Sequence, residues 1–160
     1  SWRFRINELG SPGWVIFRDS DSIVSRREAD AVGQWVKSGL NAHIIRDHPL
    51  HFAKVMGGLW GIRPDSAKWL SSEVDGFAFR DEYGADQDFL AEKVYPRIVD
   101  SCLIHASFHR HEKGPNSVDF RIGSSRVGVF CGESATSGLL DRIYARARRL
   151  LDPKECNCAT

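Results

Sequence analysis

The sequence predicts an α/β fold, a mixed sheet flanked by helices, and two observations carry that expectation. Short runs of β-branched and aromatic residues, bounded by glycine, proline or charged clusters, alternate with stretches whose apolar residues recur at helical spacing. The chain has 160 residues, 42% of them hydrophobic and 27% charged, which suits one domain with a core of its own. That domain is expected over residues 1–151, followed by a flexible tail over 152–160.

"GSPG" breaks the chain just ahead of "WVIFRDSD", the first expected strand. A helix follows from Ser25, whose pairing with Glu28 three residues on forms a capping box. Ala29, Val32, Trp35 and Val36 give it an apolar face, and Gly39 stops it. "AHIIRD" reads as a second strand, "HPLHFAKVM" as a helical turn after Pro49, and "GGLWGIRP" as a third strand closed by Pro64. A short helix is expected in "PDSAKWLSSEV", capped by Asp65 or Ser66. Another runs through "GADQDFLAEKVYPRIV", with Phe89, Leu90, Val94 and Ile98 on one side and Pro96 ending or kinking it. "SCLIHASF" is a strand, residues 109–125 read as a long loop, "RVGVFCGE" as a last strand and "SGLLDRIYARARRLL" as a last helix.

A net charge of +1 gives no electrostatic reason to expect a nucleic acid partner, and no apolar run reaches the roughly 18 residues of a membrane span. Cys102, Cys131, Cys156 and Cys158 form neither a disulfide framework nor a zinc pattern, so a reducing, cytoplasmic setting is expected.

The chemistry-bearing feature is the pair Asp19 and Asp21 at the end of the first strand, the edge where open α/β sheets gather ligands. Side chains two apart on a strand point the same way, and two carboxylates converging on one point call for a hard cation such as Mg²⁺ or Mn²⁺. The plain alternative is that Asp19 closes a turn and Asp21 is solvated. "RDHPLH" concentrates Arg46, Asp47, His48 and His51, for an anionic or hydroxyl-bearing ligand or for an internal ion pair. Gly57 and Gly58 let backbone approach a ligand closely, and Trp60 suits either a ligand ring or the core. Arg26 and Arg27 stand in the first turn of a helix against its dipole, facing either a phosphate or solvent.

Taken together, "FRDSDSIVSRREADAVGQWVKSG", "HIIRDHPLHFAKVMGGLWGIRP" and "YGADQDFLAEKVYP" resemble a group of glycosyltransferase-like proteins of bacteria and algal viruses with the GT-A type nucleotide-sugar transferase fold. The likeness runs from about Trp2 to His105. It implies that Asp19 and Asp21 are the metal-binding Asp-x-Asp, with His105, or else His109, as third ligand. Imidazole in that set favours Mn²⁺ over Mg²⁺, whereas on an apolar strand His105 equally suits a satisfied place in the core. Asp86, Gln87 and Asp88 are implied to face the donor sugar. The partners implied are a nucleotide-sugar donor and a glycan or small-molecule acceptor.

The resemblance also implies that the first strands and the base and ribose pocket are missing, so that a second copy covers the open sheet edge as a homo-oligomer. Two other readings compete. One is a non-catalytic oligomeric binding module on the same fold, and the other an aspartyl-phosphate phosphohydrolase with Asp19 as nucleophile and Asp21 as general acid.

Overall fold

A computed structural model describes residues 2–6, 13–48, 51–79, 84–106, 115–120 and 131–132. The expected "RVGVFCGE" strand, apart from Cys131 and Gly132, lies outside these residues, as do the last helix and the tail.

Five strands form one mixed sheet: β1 (Val15–Phe17), β2 (Ala42–Arg46), β3 (Trp60–Ile62), β4 (Cys102–Ala106) and β5 (Ser117–Asp119). Their spatial order is β1-β3-β2-β4-β5. β3 runs antiparallel to both β1 and β2, while β2, β4 and β5 are mutually parallel. Four strands therefore point one way, and the carboxyl ends of β1, β2, β4 and β5 meet the start of β3 at a single edge.

α1 (Arg26–Ser38) is the crossover from β1 to β2. The Ser25 hydroxyl accepts from the Glu28 amide at 3.1 Å, one half of the expected capping box. The other half is replaced, because the Glu28 carboxylate pairs with Arg18. That pair, with the fully buried Trp35, turns Glu28, Ala31 and Trp35 inward. Ala29 and Val36, expected on the apolar face, are exposed. Gly39 ends the helix at φ +72°, in the left-handed region.

The larger core lies on the other face of the sheet. Phe17 stacks on its register partner Trp60 at 4.2 Å and 9°, and Phe4 packs against Phe17, Trp60 and Phe89. Such aromatic pairs add about 0.5–1.5 kcal/mol each beyond area burial. Leu70 and Val74 of α2 (Leu70–Gly76) close this core together with Phe89, Leu90, Val94 and Ile98. The last four lie on α3, an α-turn (Ala85–Phe89), a π-turn (Leu90–Val94) and a second α-turn (Tyr95–Ile98) in succession. The Tyr95 amide reaches back five residues to the Leu90 carbonyl. Pro96, with no N–H to give, is accommodated by that wider turn and does not end the helix. A smaller cluster of Ala31, Ile45, Leu59, Phe120 and Cys131 fills the α1 side.

Three further expectations are corrected. Residues 51–56 form no helix, only a bend at 53–55, and a His51 amide to His48 carbonyl bond of 2.9 Å closes the turn before them. Pro64–Ser66 is a separate 3₁₀ turn, so α2 starts late with Trp69 at its N-cap and neither Asp65 nor Ser66 caps it. β5 lies inside the expected loop, because an edge strand beside β4 needs little apolar side chain of its own. Among the described residues, no helix is long and apolar enough to cross a membrane.

Gly61 sits under Trp35, where an added Cβ would stand 2.7 Å from the indole ring and 2.9 Å from the Val15 carbonyl oxygen. Gly61→Ala is expected to destabilise by about 1–3 kcal/mol through overpacking. Urea unfolding checks this, and combining it with Trp35→Leu should cost less than the sum of the two.

Candidate functional site

The sheet edge that gathers the carboxyl ends carries a cavity of about 420 Å³, within the range of about 300–1,000 Å³ usual for small-molecule sites. Asp19 enters from the end of β1, His51 from beyond β2, Gly57 and Gly58 from just before β3, and Asp86 and Gln87 from the first turn of α3. Arg3 and Gly132 complete the charged and glycine-lined parts of its wall.

Close approach explains the glycine pair. A Cβ at residue 58 would run into the Asp19 carboxylate and stand 2.8 Å from the Asp19 amide nitrogen. One at residue 57 would lie 2.8 Å from the Arg3 Nη2 and 3.2 Å from the Asp86 Oδ2. Arg3 bridges the two acids, with Nη1 3.4 Å from the Asp19 Oδ1 and Nη2 paired to the Asp86 Oδ2. Two carboxylates from elements far apart in sequence thus share one guanidinium.

Behind this wall stands Asp47, whose side chain is 0% exposed. Its Oδ2 accepts from the Arg27 Nε and the Cys131 amide, each at 3.0 Å, and its Oδ1 lies 3.5 Å from the His51 Nδ1. Burial pushes its carboxyl pKa up. The contact with His51, the hydrogen bond from the Cys131 amide and the charge of Arg27 outweigh that and hold it below the ordinary carboxylate value. Arg27 also lies 3.7 Å above the Phe120 ring and donates to the Phe120 carbonyl at 2.7 Å. It is turned inward to a buried acid, away from both roles the sequence offered it.

His105 is in the core. Its Nδ1 is 2.9 Å from the His43 Nε2 and its Nε2 3.1 Å from the Gln34 Oε1. Since Gln34 Oε1 can only accept, His105 carries its proton on Nε2 and takes that of His43 on Nδ1. Burial, reinforced by the neighbouring His105, lowers the His43 pKa to about 3, and burial with the charge of Arg27 lowers that of His105 to about 4.

Of the sequence-predicted residues, the structure brings Asp19, His51, Gly57, Gly58, Asp86 and Gln87 to one cavity. Asp21 and Asp88 are exposed and do not line it. β1 ends at Phe17, so strand alternation does not extend to the acidic pair, and the Asp19 carbonyl instead closes a turn with the Ser22 amide at 3.1 Å. Arg46 and His48 are buried at the end of β2, and Trp60 is buried in the aromatic core. His109 lies outside the described residues. Among the described residues, no group of three or more histidine, cysteine, aspartate or glutamate side chains is disposed to hold a metal. Sequence reasoning misses Arg3, since a lone arginine near Phe4 carries no motif. Cys102 and Cys131 are buried free thiols, with the Cys102 pKa pushed up to about 12 by burial.

No protein-family model matches the chain, and neither the curated proteins nor the solved structures include one similar to it.

Two outcomes follow from these geometries. Asp47→Ala leaves Arg27 buried beside a void and is expected to cost about 3–5 kcal/mol in urea unfolding. The histidine pair binds protons in the unfolded chain near the ordinary value of 6.5 but in the folded chain only near 3 and 4. The unfolded state therefore holds more protons between those limits, and stability falls as pH drops below about 6.5, by up to about 1.4 kcal/mol per pH unit for each histidine. Unfolding midpoints at about pH 7 and about pH 5 check this, and the slope should flatten in His43→Gln/His105→Gln.

Proposed function

We propose that the cavity binds the diphosphate of a nucleotide-sugar donor together with a divalent cation, as a GT-A-like glycosyltransferase site acting on a glycan or small-molecule acceptor. One observation supports this above others: Asp19, Gly57–Gly58 and Asp86–Gln87 come from the three separate motifs that carry the family resemblance, and they line the same cavity. The carboxylates available to a cation there are those of Asp19 and Asp86, and a positive group, the Arg3 guanidinium, already rests between them. That fits Mg²⁺ or Mn²⁺, which commonly take one or two protein carboxylates and complete their shell with phosphate and water. His105 does not join this set, so the imidazole argument for Mn²⁺ over Mg²⁺ lapses.

When bound, the cation neutralises the diphosphate and acts as Lewis acid for the departing nucleotide. The chain's own residues do the rest. Gly57 and Gly58 let the Asp19, Asp86 and Arg3 side chains lie close against the backbone, where they face the ligand. Gln87 offers an amide to a sugar hydroxyl, and His51, held from behind by Asp47, offers a ring nitrogen to the acceptor. A phosphohydrolase would need Asp19 and Asp21 at one phosphate, and Asp21 does not line the cavity.

The assembly-module reading draws on a different observation: Ile16 and Val118, on the outer strands of the sheet among the described residues, are 43% and 36% exposed. Pairing of either edge with a second copy would cover them.

Calorimetry with Mn²⁺ and uridine diphosphate glucose tests the proposal. Binding is expected in the unaltered chain and should weaken at least about tenfold in Asp19→Asn, as for loss of a charged hydrogen-bonding or metal-ligating group. Absence of any donor binding in a well-folded, dimeric sample would instead favour the assembly module.

A further inference from the structure

Arg3 is the one cation seated between the two acids of the cavity among the contacts described, and its position sets two opposing effects on ligands. We propose that Arg3 is the resident counter-ion of Asp19 and Asp86 and the residue that makes the cavity select a metal–diphosphate over a bare metal ion. This rests on the reading of the cavity as a cation–diphosphate site.

The physical basis is charge and room. Asp19 and Asp86 can hold a divalent cation together only if the guanidinium leaves the place between them. Gly57 backs that place closely, an added carbon there standing 2.8 Å from the Arg3 Nη2, so the guanidinium occupies the space between the two acids. A bare cation must therefore break both Arg3 contacts and then stand beside a displaced like charge, which weakens its binding. A diphosphate that arrives with the cation changes the balance. Its oxygens give the displaced guanidinium a planar, bidentate anionic partner within the same cavity, the geometry for which arginine is suited and lysine is not. Arg3 thus opposes one ligand and favours the other. The remaining titratable wall group, His51, is held against Asp47 and does not compete for the two acids.

The test is calorimetric titration of the full chain with Mn²⁺ alone and with Mn²⁺ plus inorganic pyrophosphate, in the unaltered protein, Arg3→Met and Arg3→Lys. The expected pattern crosses over. Arg3→Met binds bare Mn²⁺ about tenfold more tightly than the unaltered chain and Mn²⁺–pyrophosphate about tenfold less tightly, the size of effect that one close charge pair commonly has on binding. Arg3→Lys keeps the repulsion, so its affinity for bare Mn²⁺ stays low, and it recovers only part of the pyrophosphate affinity. If Arg3→Met leaves bare Mn²⁺ affinity unchanged or lowers it, the inference fails, while pyrophosphate binding that still depends on Asp19 keeps the cavity reading intact. If neither ligand binds the unaltered chain or Arg3→Met, both fall together. Far-ultraviolet circular dichroism establishes folding. Should Arg3→Met not fold, Arg3→Lys decides the matter, and undiminished pyrophosphate affinity in that variant overturns the inference.

Discussion

The buried carboxylate of Asp47 is the constraint on which the cavity edge of the molecule depends. A fully desolvated acid is tolerable only when its partners are fixed, and its partners come from three places: Arg27 on α1, the Cys131 amide and His51. Satisfying one charge therefore docks a helix, a distant turn and a cavity wall onto the end of the central strand. Arg27 extends the tie to Phe120 beyond β5, through its carbonyl and its ring. The edge would otherwise be a set of strand ends, each free to take its own course.

Much of the fold is legible in the sequence because apolar periodicity is a local signal. "AHIIR" and "CLIHA" are short segments centred on apolar residues, and they form the two buried parallel strands at the centre of the sheet. What local signals do not carry is the partner across space. The phase of α1 differs from the periodicity because Glu28, which the motif presents as a capping side chain, is drawn inward by Arg18. β5 reads as loop because Ser117–Asp119 gains its order from the neighbouring β4, and not from its own residues.

The site shows the same division. The glycine pair can be singled out from sequence as a place of close approach, but not what approaches it. Asp19 stands out for a strand geometry that the chain does not adopt, since β1 ends at Phe17. It reaches the cavity through the turn that follows. His105 carries two open readings in the sequence, and the hydrogen bonds to His43 and Gln34 place it in the core. Arg3 has no motif to announce it, because a counter-ion is defined by the acids it meets, and those lie on separate elements.

The contacts that close the cavity also span long stretches of chain: 83 positions from Arg3 to Asp86, 84 from Asp47 to Cys131 and 93 from Arg27 to Phe120. Loop closure over such distances costs entropy before any contact is made, and contacts of high sequence separation accompany slower folding across proteins in general. The paired strands β1 and β3, with α1 between β1 and β2, need far shorter loops. On the ribosome, the sheet's first half has its sequence in hand well before the turn at Cys131 emerges, and until then Asp47 has no backbone amide to receive. The cavity edge is in that sense the last part of the molecule whose sequence becomes complete.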